Sequence, residues 1–150
     1  IILIISFAAL IFAYFVEHIL GHQPCNLCII ERIPYGISII LITIIFIIKK
    51  NQKFLTLLLI LTFAFSFTIS IYHYGIEQGF FEESTVCSAR NFTENITKED
   101  LLKELSKKTI SCKDVTFRFF GFSLTSINVV LSLLFIITLI KIFIKYEKNK

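Results

Sequence analysis

The sequence predicts an all-α polytopic membrane protein, a single domain in which four transmembrane helices form a bundle. Three observations support this fold class. Apolar residues make up 55% of the 150 residues, the mean hydropathy is +0.79, and four apolar runs reach the length of roughly 20 residues that a bilayer core requires. Residues 1–150 are therefore expected to form one membrane-embedded domain.

The helices are expected at about 1–20, 29–48, 54–74 and 121–140, with a long outer loop at 75–120. The first run has no basic segment before it and no small-residue cleavage site after it, so it reads as a helix and not as a signal peptide. Because the chain starts inside an apolar run without Met, we expect further residues before it. In the loop, residues 98–108 place leucines on one stripe opposite charges, which predicts a short amphipathic helix. That helix either packs on the loop or lies among lipid headgroups.

Basic residues indicate the orientation of the bundle. Lys49, Lys50 and Lys53 lie between the second and third runs, and further lysines follow the fourth. The outer loop is balanced, with seven Lys or Arg against eight Asp or Glu. The positive-inside rule therefore places both termini in the cytoplasm and the loop, with the CxxC turn, on the far side of the membrane. No basic patch with interleaved aromatic residues is present in the sequence, so we do not expect a nucleic acid partner.

All four cysteines fall in two pairs outside the centres of the apolar runs. Cys25 and Cys28 form a CxxC motif at a membrane edge, and Cys87 and Cys112 lie in the outer loop. On an oxidising side of the membrane this arrangement favours thiol–disulfide exchange. Two alternatives stay open: inert structural disulfides, and a structural zinc site, against which the wide spacing of the loop cysteines argues. No metal is predicted.

Arg32 is the candidate for holding negative charge near the CxxC motif. A helix N-terminus near Cys28 would favour the thiolate, and Arg32 would then lie one turn further on the same face. Pro34 instead favours a helix start nearer Ile33, which would leave Cys28 in the preceding turn. The alternative for Arg32 is a snorkelling membrane anchor with Glu31 as its ion-pair partner. Among apolar helices, the electron acceptor that fits such a site is a lipid-soluble quinone.

The three histidines are ambiguous in sequence. His73 lies at the end of the third run, where Gly75 is expected to stop the helix. It is a candidate quinone contact, with an ordinary membrane-interface residue as the alternative. His18 and His22 have a spacing that can bind metal, but solvated interfacial histidines are commoner, and no metal site is assigned.

Three segments resemble a known family. Gln-Pro-Cys-Asn-Leu-Cys-Ile-Ile-Glu-Arg at 23–32 is similar to the Q-P-C-x-L-C-x-x-[EQ]-R signature of the disulfide bond formation protein B (DsbB) family of bacterial inner membranes. Residues 72–80, followed by Cys87 and Ser88, are similar to the segment that precedes that family's loop cysteine. Phe-Gly-Phe-Ser at 120–123 resembles the start of its last helix. The resemblance covers nearly the whole chain.

The resemblance implies that all four cysteines are catalytic. A reduced periplasmic thioredoxin-like oxidase of the DsbA type would attack a Cys87–Cys112 disulfide at Cys87. Cys112 would then engage Cys25, which frees Cys28 as a thiolate. The protein would thus be a membrane thiol oxidase that reoxidises its soluble partner.

The resemblance also implies a quinone, either ubiquinone or menaquinone, as the final acceptor. Cys28, Arg32 and His73 would contact it. The alternative function is a non-enzymatic membrane protein with structural disulfides, such as a subunit or small transporter. Near mid-membrane, however, helices three and four offer only uncharged polar residues, which gives an ion no buried charge to bind. These residues are Ser66, Thr68, Ser70, Asn128 and Ser132.

Overall fold

The computed structural model describes residues 1–48, 51–83, 87, 111–113, 118–119 and 121–148. Its elements in chain order are α1 (Ile2–His18), α2 (Asn26–Ile30), α3 (Ile33–Ile47), α4 (Gln52–Glu77), β1 (Arg118–Phe119), β2 (Phe122–Ser123) and α5 (Leu124–Lys148). Three segments of this described part are long and apolar enough to cross a membrane: Asn26–Ile47, Gln52–Glu77 and Leu124–Tyr146. The shorter apolar helix α1 accompanies them. The chain is therefore a mostly helical, multi-pass membrane protein, whereas the predicted loop helix at 98–108 lies outside the described residues.

The second predicted helix, 29–48, is in fact two helices. The side chain of Cys25 caps α2, because its Sγ accepts a hydrogen bond from the backbone N–H of Cys28 at 3.2 Å. Pro34 lies in the first turn of α3, where its missing N–H costs nothing, so α3 begins at Ile33. The chain bends between the two helices at residues 31–32. Cys28 thus lies in a separate short helix before the regular one, as the proline indicated.

Helix α4 extends beyond the predicted limits of 54–74, and the expectation that Gly75 ends it was wrong. The helix stops at Glu77 in a Schellman motif, with Gly79 at φ +77° and the N–H of Phe80 bonded to the carbonyl of Gly75 at 2.8 Å. Gly75 has a different role. A Cβ atom there would lie 2.2 Å from the ring of Phe81, so the glycine lets the returning chain approach the helix.

The fourth predicted helix, 121–140, begins later and ends later than expected. Gly121, at φ +86°, lies in the turn of a hairpin that pairs β1 with β2, and these two short strands interrupt the otherwise mostly helical part of the chain that the structure describes. The hydroxyl of Ser123 then accepts the backbone N–H of Ser126 at 3.2 Å and caps α5. The helix continues to Lys148, because lysines on the last turns can extend their side chains to water.

Helix α4 packs against α3 and α5, and α3 packs against α1. Phe63 is fully buried between these helices, with its ring 4.8 Å from that of Phe135 and 6.1 Å from that of Tyr35. Small polar residues allow close approach elsewhere: the hydroxyls of Ser66 and Ser132 are 3.2 Å apart. Many large apolar side chains face outward, as lipid contact requires. This packing holds the outer ends of α2, α4 and α5 together.

Candidate functional site

The structure brings all four cysteines together beside the outer end of α4. Cys25, Cys87 and Cys112 are buried in one cluster, and Cys28 packs against it. The sulfur atoms of Cys25 and Cys28 are 2.7 Å apart. Cys25 also hydrogen bonds with Cys112, which in turn bonds with Cys87. The contacts therefore run in the order Cys28, Cys25, Cys112, Cys87, and the two pairs that are separate in sequence form one continuous series of thiols.

Protons are shared unequally along this series. Cys112 has its pKa lowered to about 6, chiefly because it accepts a hydrogen bond from the thiol of Cys25. The pKa of Cys25 is raised, because its bonds to Cys112 and Cys28 hold the proton on it and burial disfavours its anion. The backbone N–H of Cys28 opposes this change but is the weaker effect. With all thiols reduced, Cys112 is thus the anion and Cys25 the proton donor.

A metal ion was not predicted, yet three possible ligand atoms converge at this site. The ligand atoms of Cys25, Cys28 and His73 lie within 4.8 Å of one another. Two thiolates on one tetrahedral zinc, each at about 2.3 Å from the metal, would lie about 3.8 Å apart. The observed separation of 2.7 Å is shorter and brings the sulfurs towards bonding distance. The spacing therefore fits a dithiol–disulfide pair better than a zinc site.

His73 is the polar neighbour of the thiols. It is 1% exposed, and its Nε2 lies 3.5 Å from the Sγ of Cys25. Its Nδ1 lies 3.0 Å from Oε1 of Glu31 in the bend between α2 and α3. The other oxygen of Glu31 accepts a hydrogen bond from Asn128 at 2.9 Å. Asn128 in turn accepts the hydroxyl of Tyr35, so three side chains from three parts of the fold fix the imidazole.

A second carboxylate, Glu77, lies on the other side of His73. Its Oε1 is 3.9 Å from Nε2 of His73 and accepts the hydroxyl of Thr125 at 2.6 Å. Among the described residues, its Oε2 is buried without a hydrogen-bond partner. Sequence reasoning missed both Glu77 and Asn128. The spacing of four between His73 and Glu77 in one helix was the available signal for the first.

Arg32 lies at the same end of the molecule but its described partners are on α1. Its Nη1 donates to Oε2 of Glu17, and its guanidinium lies 5.1 Å from the centre of the Tyr14 ring. Arg32 thus joins the start of α3 to the first helix, and its neighbour Glu31 pairs with His73. Glu17, which sequence reasoning did not single out, neutralises part of its charge. The predicted contact of Arg32 with a quinone stays a prediction.

A cavity of about 460 Å³ adjoins the thiols. Cys28, Arg32 and His73 line it together with Glu31 and Glu77. Its other walls are mostly apolar and come from α1 and α5, among them Leu10, Phe12, Ala13, Ile127 and Leu131. Sites for small organic molecules have this size, roughly 300–1,000 Å³, and this combination of apolar walls with a few polar groups. The donor set fits a quinone ring, whose oxygens accept hydrogen bonds and whose carbon skeleton is apolar.

Known proteins are similar to this chain over most of its length. A family model described as "Disulfide bond formation protein DsbB" matches residues 1–142. A protein of Rickettsia prowazekii (strain Madrid E), described as "Uncharacterized protein RP370", is 30% identical over 152 aligned residues. That alignment covers 100% of this chain and 88% of the relative.

Proposed function

Because the chain belongs to the DsbB family of disulfide bond formation proteins, we propose that it is a membrane thiol oxidase that passes electrons from a soluble dithiol partner to a membrane quinone. Family membership makes it a membrane protein of disulfide bond formation and an oxidoreductase. The observation that supports the finer function best is the series of four sulfurs, in which Cys25 touches both Cys28 and Cys112. A relay between two cysteine pairs needs that contact.

The relay runs by successive thiol–disulfide exchange steps. A thiolate of a DsbA-like partner attacks Cys87 in a Cys87–Cys112 disulfide, so a mixed disulfide forms and Cys112 leaves with the electron pair. Cys112 then attacks Cys25 in a Cys25–Cys28 disulfide, and Cys28 leaves as a thiolate. The second partner thiol displaces Cys87, and further exchange returns the loop pair to its disulfide and leaves Cys25 and Cys28 reduced.

The cavity beside Cys28 is the proposed quinone site, with Arg32 and His73 as its polar contacts. When bound, a quinone supplies a two-electron oxidant for the reduced Cys25–Cys28 pair. Arg32 provides positive charge there, and Glu17 with Tyr14 holds its guanidinium in place. The apolar residues of α1 and α5 exclude water from the same space. Ubiquinone and menaquinone both match this chemistry.

We place the protein in the bacterial inner membrane with both termini in the cytoplasm and the cysteines on the periplasmic side. A membrane-impermeant thiol reagent, applied to intact spheroplasts after reduction and mild loosening of the fold, should then modify all four cysteines. A control protein with a known cytoplasmic thiol should stay unmodified. Modification that appears only after the membrane is opened would contradict the orientation.

Trapping of the partner tests the proposed order of exchange. With Cys112→Ser, Cys87 keeps a free thiol, which should attack a thioredoxin-like partner whose single active-site cysteine carries a thionitrobenzoate disulfide. Thionitrobenzoate leaves with the electron pair, and because the resolving thiol is absent the mixed disulfide at Cys87 should accumulate on non-reducing gels. The double variant Cys112→Ser with Cys87→Ser should not form this mixed disulfide. Cys28→Ser alone, which keeps Cys112, is the matched control, and in it the mixed disulfide at Cys87 should not accumulate. Trapping at Cys25 that persists without Cys87 would show that the partner enters at the other pair.

A further inference from the structure

We propose that Cys25, His73 and Glu31 act as a nucleophile, general base and orienting carboxylate, so that His73 takes the proton of the Cys25 thiol when Cys25 and Cys28 are oxidised to a disulfide. The three groups are in line: 3.5 Å separates Sγ from Nε2, and 3.0 Å separates Nδ1 from Oε1. This is the arrangement of catalytic triads, in which a carboxylate fixes a histidine that activates a nucleophile.

The hydrogen bonds around Glu31 set the state of the imidazole. One oxygen of Glu31 accepts a hydrogen bond from Asn128, and a carboxylate offers only acceptors at its other oxygen too. In the neutral imidazole, Nδ1 of His73 then carries the proton of its contact with that oxygen. The lone pair of Nε2 then faces Cys25 and can accept its thiol proton.

A base is needed because Cys25 and the nearby Glu31 are shielded from water. Cys25 is 6% exposed and Glu31 8%, so bulk water cannot readily take up the thiol proton. Cys25 keeps its proton, since the neighbouring sulfurs raise its pKa, and a protonated thiol is a poor nucleophile. An adjacent histidine removes this barrier.

Formation of the Cys25–Cys28 disulfide releases one proton and two electrons. The S–H bond of Cys25 breaks, its proton passes to Nε2 of His73, and a bond forms between the sulfurs of Cys25 and Cys28, the latter already a thiolate. The pair loses two electrons, which pass to the quinone of the proposed function, so the oxidant in this step rests on that function. Reduction of a quinone to a quinol consumes two protons. His73 returns the one from Cys25, and the other comes from the aqueous side.

His73 is faced by two carboxylates, Glu77 on its own helix and Glu31 between α2 and α3. The other groups that face it are three thiols and one hydroxyl: Cys25, Cys28, Cys112 and Thr125. Two carboxylates thus flank the imidazole and stabilise the positive charge that it gains with the proton. Glu77 also has a buried oxygen, Oε2, without a described hydrogen-bond partner, which leaves it free to accept a further hydrogen bond. The surroundings favour proton uptake by the imidazole.

The test uses the full chain in detergent with Cys28→Ser, Cys87→Ser and Cys112→Ser, so that Cys25 is the reacting thiol. Its rate of reaction with dithiodipyridine, a small neutral disulfide, is followed by absorbance against pH without quinone or partner protein. Adding His73→Gln should slow the reaction at neutral pH by about a hundredfold. Glu31→Gln, which keeps a hydrogen-bonding side chain, should slow it by about tenfold. Both should shift the pH profile to higher pH.

Ser66→Ala is the matched control, because Ser66 is buried on the same helix but bonds to Ser132, away from the triad. It should leave the profile unchanged. Added imidazole should restore part of the rate in a His73→Gly variant, which a merely structural histidine would not allow. An unchanged profile in both His73→Gln and Glu31→Gln, or a loss that imidazole leaves untouched, would overturn the triad. Failure of quinone reduction in the intact chain, with this histidine dependence still present, would instead overturn the proposed function alone.

Discussion

Nδ1 of His73 lies 3.0 Å from Oε1 of Glu31, although 42 positions separate the two residues in sequence. This contact joins α4 to the bend that follows the CxxC motif. It fixes the imidazole against Cys25 and, through Asn128, ties α5 to the same point. Three segments that lie far apart in the chain are thereby held in the register that the thiol chemistry needs.

The role of Arg32 can be separated from that of a membrane anchor. Arg32→Gln should raise the apparent quinone KM by about tenfold to a hundredfold, the worth of one charge-assisted hydrogen bond. Arg32→Lys keeps the charge but loses the planar fork, so its defect should be smaller. Steady-state kinetics with a quinone series measure both. Lys145→Gln, at the opposite end of α5, is the control, and a quinone KM that Arg32→Gln leaves unaltered would return Arg32 to the status of an anchor.

Cys112 should titrate as an acidic thiol in the reduced protein. Its pKa of about 6 lies below the ordinary 9.0, so the thiolate predominates above pH 6 and its alkylation by iodoacetamide should fall off as the pH drops through about 6. By linkage, this group stabilises the reduced fold above the ordinary pKa, and that contribution is lost as the pH falls towards 6. Cys25→Ala removes the donor and should move the midpoint upward. Mass spectrometry of the alkylated peptide measures it, with denatured protein as reference, and an identical midpoint in Cys25→Ala would contradict the assigned hydrogen bond.

Gly75 should tolerate alanine only when Phe81 is smaller. The Phe81 side chain is 51% exposed and stacks on Tyr72 with ring centres 5.7 Å apart, so a new Cβ would displace it from that ring. Gly75→Ala should therefore destabilise the protein by about 1 kcal/mol, the worth of an aromatic pair. In a Phe81→Ala background the same change should be neutral or stabilising, because alanine favours the helix. Thermal unfolding of the two pairs of variants measures this, and an equal cost in both backgrounds would show that Phe81 is not the cause.

Local signals in the sequence predicted much of this fold. Hydropathy indicated the apolar helices α1, α3, α4 and α5 but not where they end, and Pro34 favoured a start of α3 near Ile33. Terminal residues were less predictable. The end of α4 depends on Gly79 and on Phe81 folding back over Gly75, a contact that helical periodicity does not encode.

The candidate site was predictable in its reactive groups but not in their partners. The CxxC motif and the loop cysteines identified the thiols, because cysteine chemistry depends on residue type and spacing. The alternative interpretation of Arg32 as a membrane anchor made Glu31 its ion-pair partner, but Glu31 pairs with His73, and Arg32 reaches Glu17. These choices follow from the bend before α3 and from the packing of α4, which bring distant segments together. No local pattern in a single sequence specifies such contacts.

The most direct test of the central claim is quinone reduction by the purified chain, supplied with a reduced thioredoxin-like oxidase and followed by the absorbance of the quinone. The four-sulfur relay predicts one quinone reduced for each partner disulfide formed. Single Cys→Ser changes at 25, 28, 87 and 112 should each abolish steady turnover, while Ser66→Ala should not. A folded wild-type protein that forms no quinol, or turnover that survives the loss of Cys25 or Cys112, would contradict the relay.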